Sequence, residues 1–151
     1  MGLDMYLTAE RYVSEWRDCD IELAKKTETL GVPKTLGKVK YLVTEAAYWR
    51  KANQIHQWFV DNVQDGEDDC REYYVSIENL KELLELCKKV LANKELAEEL
   101  LSVREGFFFG SYDYDDWYFQ NLEDTVEQLE TILSTPEDEL KQYDFNYRSS
   151  W

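Results

Sequence analysis

Two stretches at opposite ends of this sequence alternate with a period of two, and most of the chain between them does not. LDMYLTA, Leu3 to Ala9, sets Leu3, Met5 and Leu7 against Asp4, Tyr6 and Thr8. QYDFNYRSSW, at the other end, sets Tyr143, Phe145 and Tyr147 against Asp144, Asn146 and Arg148. Such alternation marks strands with one buried and one exposed face. The segments between them carry apolar residues at helical spacing. The expected fold is therefore α+β: a small antiparallel sheet that includes both terminal strands, packed against about three to four helices. With 151 residues, the chain is long enough for one real core and short for two, so 1–151 reads as a single compact domain.

The clearest helix follows Ser76, a good N-cap, with Ile77, Leu80, Leu83, Leu84, Cys87, Val90 and Leu91 on one face. Asn93 breaks it and caps a shorter helix bearing Leu96, Leu100 and Leu101. Asp115 or Asp116 starts a last helix, with Phe119, Leu122, Val126, Leu129 and Leu133 inward, and Thr135-Pro136 stops it. Lys38 to Val43 alternates as a strand. Thr44 then suits a helix cap, and a helix is expected to run to about Val63. Tyr73 to Val75 reads as a brief extended piece, and charged Glu15 to Leu30 as a short helix or an excursion before the loop at Gly31, Pro33 and Gly37.

Charge separates classes of function. Thirty-two acidic residues against 17 basic ones give a formal net charge of -15. Direct nucleic-acid binding is disfavoured, because phosphate recognition draws on clustered cations. The acidic surface serves solubility or meets a basic partner. No run approaches the roughly 20 apolar residues of a membrane span, and the first residues lack a signal-peptide core. A cytoplasmic protein is expected. Cys19, Cys70 and Cys87 are odd in number and lack CxxC spacing, so free thiols are expected.

One stretch, AYWRKANQIHQWF at Ala47 to Phe59, holds the only histidine together with aromatic and multi-donor side chains. Projected on a helix, Tyr48, Ala52, Ile55 and Phe59 form one stripe, and Trp49, Asn53, His56 and Val60 the next, with Arg50 one step further round. Such an arc suits a planar polar ligand, since aromatics stack and Arg offers a fork of donors. The same arc can equally be core, with Asn53 and His56 satisfied internally. Gly106 to Phe119, GFFFGSYDYDDWYF, forms a second aromatic cluster in which glycines permit close backbone approach. The candidate ligand-binding residues are Trp49, Arg50, Asn53, His56, Phe108, Arg148 and Trp151.

Catalytic and metal patterns are missing. One His and no CxxC pair leave the common zinc patterns unmet, and there is no GxSxG, P-loop or GxGxxG. The acidic turn at Asp65, Glu67, Asp68 and Asp69 fails EF-hand spacing and reads as a solvated turn. Neither enzyme activity nor a cofactor or metal is expected.

The segments GLDMYL, YWRKANQIHQWFV, DGEDD with EYYVS, LLELCKKVL, GFFFGS and the final YRSSW together resemble a family of small bacteriophage and prophage proteins without an assigned function. The resemblance spans residues 2 to 151 and is weakest over Glu15 to Leu30. It implies a phage context, in which small non-catalytic proteins often blunt host defences. Two expectations follow by analogy. One is a sponge that sequesters a nucleotide-derived signal, with a homo-oligomer as a plausible assembly. The other is an acidic inhibitor or nucleic-acid mimic that blocks a host defence protein.

Overall fold

The computed structural model describes residues 2–106 and 109–151. The expected α+β fold is present: a four-stranded antiparallel sheet built from β1 (Asp4–Tyr12), β2 (Tyr41–Arg50), β3 (Tyr73–Val75) and β4 (Asp144–Ser150). Spatial order is β2-β1-β4-β3, so the two terminal strands lie at the centre. Their alternation explains the placement. Met5, Leu7 and Ala9 of β1 and Phe145, Tyr147 and Ser149 of β4 are buried on one face. Asp4, Tyr6, Asn146 and Arg148 point to the other.

Six helices connect the strands among the described residues: α1 (Asp18–Thr29), α2 (Asn53–Asn62), α3 (Ile77–Ala92), α4 (Ala97–Leu100), α5 (Asp116–Leu133) and α6 (Glu137–Leu140). Four are of normal length, and the single turns α4 and α6 take the total above the expected three to four. Ser76 caps α3 through a box: its hydroxyl accepts from the Asn79 N–H, and the Asn79 carboxamide accepts from the Ser76 N–H. Asp115 caps α5 by accepting from the Tyr118 N–H at 3.0 Å. Packed against each other, α3 and α5 share with the sheet a core that includes Leu80, Leu83, Leu122, Leu129, Phe59 and Tyr147.

One expected element is wrong. The chain from Thr44 to Arg50 is strand, not helix. Tyr48 and Trp49 are β-formers, and they pair across from Tyr6 and Met5 of β1. Ala47 and Trp49 turn inward while Tyr48 and Arg50 turn outward, which is a period of two. Lys51 then adopts a left-handed backbone (φ 56°) and breaks the strand before α2 begins at Asn53. The helical stripes that joined Trp49 to His56 therefore do not exist.

Candidate ligand site

Residues 47 to 59 straddle three environments. Trp49 faces the core, where its indole N–H donates to the Thr125 hydroxyl at 2.9 Å and its ring lies 5.9 Å from that of Phe59. Arg50 faces outward, beside Asp4. Asn53 and His56, on α2, are buried.

Asn53 is a stitch. Its amide nitrogen donates to the carbonyls of Phe109 and Ser111, and its oxygen accepts from the Arg104 N–H. It thereby fastens the backbone of Arg104, Phe109 and Ser111 to α2. The fit is close at Gly110, whose φ of +100° favours glycine and where a Cβ would stand 3.0 Å from the Lys51 carbonyl oxygen.

His56 sits in a buried relay. The Tyr147 hydroxyl lies 2.7 Å from Nδ1, and Asp68 lies 3.0 Å from Nε2. Asp68 also accepts the Trp151 indole N–H at 3.0 Å and faces the Arg104 guanidinium at 3.4 Å. Burial holds the imidazole below its usual pKa, against the opposing pull of Asp68. Burial also raises the Tyr147 phenol well above its ordinary value. The consistent proton arrangement has Tyr147 O–H donating to Nδ1 and Nε2–H donating to Asp68. Asp68, expected as a solvated turn residue, is instead the acceptor that ties α2, the 104 loop and Trp151 together. Asn53 and His56 thus serve as scaffold, with their polar atoms engaged inside the protein.

The open side of this region lies along β2. As an edge strand, β2 leaves outward backbone groups, and the Tyr48 N–H is taken up by the Gln128 carboxamide at 2.9 Å. Between this edge and α5 runs a groove of about 710 Å³. One wall presents Arg50 and Lys51, and the other Asp124 and Glu127. Trp117, 55% exposed, and Asn121 complete it. Its volume lies in the range typical of small-molecule sites.

Arg50 also borders the open sheet face. There Tyr6 and Tyr48 pair across the strands with ring centroids 5.4 Å apart, and the Arg148 guanidinium lies 6.0 Å from the Tyr6 ring. Tyr48 donates its hydroxyl to Asp4. Strand spacing sets the Cα atoms of Arg50 and Arg148 about 12 Å apart, within converging reach of two long side chains. Trp151 stands off at the side, 51% exposed and edge-on to Phe109. Of the expected site residues, then, Arg50 and Arg148 share a surface, Trp49 backs it, and Asn53, His56 and Trp151 form the adjoining clasp. Phe108 lies outside the described residues. Sequence reading missed the pairing of Tyr6 with Tyr48 and the role of Gln128. An alternating Tyr-X-Arg on an edge strand was the available signal for the first.

Among the described residues no group of three or more His, Cys, Asp or Glu side chains is placed to hold a metal ion, and no helix is long and apolar enough to cross a membrane. The cysteines are free, and burial pushes the Cys87 thiol up to about 12. The chain matches no protein-family model, no curated protein and no solved structure.

Proposed function

We propose that this protein is a non-catalytic binding protein that sequesters a small, planar, anionic ligand of nucleotide type in the groove between β2 and α5. The observation that carries the reading is the groove's division of chemistry. Arg50 and Lys51 supply cations for a phosphate, and Trp117 supplies a stacking surface for a heterocycle. Asn121 and the carboxylates of Asp124 and Glu127, which line the same groove, supply acceptors for a base's amino groups. In a chain of net charge -15, the groove matches two cations, Arg50 and Lys51, against two carboxylates, Asp124 and Glu127. The one histidine is buried and bonded on both ring nitrogens, which removes the usual proton-transfer group from the groove. The resemblance to small phage proteins adds a role: a cytoplasmic counter-defence sponge for a nucleotide-derived signal.

Titration calorimetry with a cyclic dinucleotide, a nucleoside diphosphate, adenosine and inorganic phosphate tests the site. At least one phosphorylated probe is expected to bind. Arg50→Ala should weaken it about 10- to 100-fold, the loss of a charge-assisted contact. Trp117→Ala should weaken it about 10-fold, with thermal stability unchanged in both. Silence from all four probes, or full affinity in both variants, sinks this reading.

A blocker of a host protein is the second reading. It draws on the acidic surface alone, and predicts a complex that loosens as salt is raised.

A further inference from the structure

The segment 14–40, which carries α1, departs from the rest of the molecule in both packing and charge. None of its apolar residues joins the core. Asp20 is the sole buried residue of α1, anchored by the Ser14 N–H at 2.9 Å and by the Arg11 guanidinium at 2.8 Å. Trp16 is 89% exposed, Leu30 79% and Leu36 78%. At the base of the segment, Tyr41 and Val43 are also exposed. Apolar exposure concentrated this way marks an interaction surface.

Charge says what covers it. The segment holds six Lys and Arg against five Asp and Glu, a net of +1, leaving eleven against 27 and a net of -16 for all other residues. Two exposed ion pairs, Lys34 with Glu28 and Lys38 with Glu15, neutralise it further from within. Any approach of two copies through their acidic bodies is opposed by like charge. The near-neutral segment, with Trp16, Leu30 and Leu36 exposed on it, is the surface on which a second copy can be met without that penalty. An isologous contact needs such self-compatibility.

We propose that segment 14–40 is a self-association surface, through which two copies of this chain meet segment to segment. Tyr41, at its base, and Arg50 lie at opposite ends of β2, about 30 Å apart by strand rise. The dimer therefore leaves the groove open, and the inference stands independently of the ligand reading.

Sedimentation velocity and light scattering of the full chain at tens of micromolar, in low and in high salt, test it. The expected particle has twice the 18.0 kDa mass of one chain. Its dissociation constant should fall several-fold as salt screens the repulsion between bodies. Leu30→Glu with Leu36→Glu should give monomer with an unchanged circular dichroism spectrum and melting temperature. Trp16→Glu, a separate variant, should weaken the dimer by itself. A particle of 18.0 kDa under all conditions overturns the proposal, as does a dimer indifferent to both variants. A dimer that weakens with salt overturns the segment-to-segment contact, since attraction to an acidic body would then hold it.

Discussion

The His56 clasp and the 14–40 segment place opposite demands on the same kinds of residue. In the clasp, polar groups are buried and each is answered: Tyr147 and Asp68 by His56, Asn53 by three backbone groups. In the segment, apolar groups are exposed and none is answered by the core. The first is what a chain does to fix its own shape, because an unpartnered buried polar group costs about 1–3 kcal/mol. The second is what a chain leaves for something else. The ligand site we propose lies at the boundary, where Arg50 and Trp117 stand on the frame but are exposed.

The contrast can be broken most severely at the clasp's apolar floor. Phe59 stacks on Tyr147 with centroids 3.9 Å apart and contacts Trp49 and Trp58. Phe59→Ala should cost about 3–5 kcal/mol in urea unfolding, through lost burial and a residual cavity. Asp68→Ala comes next. It strips the acceptor from His56 and Trp151, and should cost about 2–3 kcal/mol, with lower tryptophan fluorescence anisotropy as a second readout. Asp68→Asn should recover part of this, because the amide oxygen still accepts.

Acid should act on the clasp in a defined direction. Folded His56 has its pKa held below the unfolded value, so below about 6.5 the unfolded chain binds more protons than the folded one. Stability should therefore be flat above that point and fall as the pH drops from about 6.5 toward the folded pKa. Melting temperatures between about pH 7.5 and 5.5 check this. His56→Gln should lower the whole curve and flatten that slope. A wild-type slope of the opposite sign would mean that Asp68 outweighs burial. The smallest effect belongs to the segment: Leu30→Ser alone should leave monomer stability within about 0.5 kcal/mol. A larger loss would show that the segment is part of the core.

Much of this was legible because period and chemistry agreed. Leu3 to Ala9 and Tyr143 to Arg148 alternate, α3 carries both its stripe and its cap, and Asp115 announces α5. The reading failed at Thr44 to Arg50, where each residue tolerates either period. The choice was made by partners more than thirty residues away, as Trp49 pairs with Met5 and donates to Thr125. That choice rewrote the candidate site. Trp49 went inward, Arg50 outward, and His56 to a relay closed by Asp68 and Tyr147, whose proximity no local spacing encodes. The sequence points to Arg50 by its place in the aromatic stretch and to Arg148 by its charge; strand pairing supplies their common face.

The central claim is that the Arg50 groove holds a nucleotide-type ligand. Native mass spectrometry of the protein purified from cells making nucleotide signals tests it most directly. The expected spectrum shows a mass increment of a phosphorylated small molecule on each chain, released on denaturation and missing from Arg50→Ala. A bare chain from such cells, or an increment that Arg50→Ala retains in full, contradicts it.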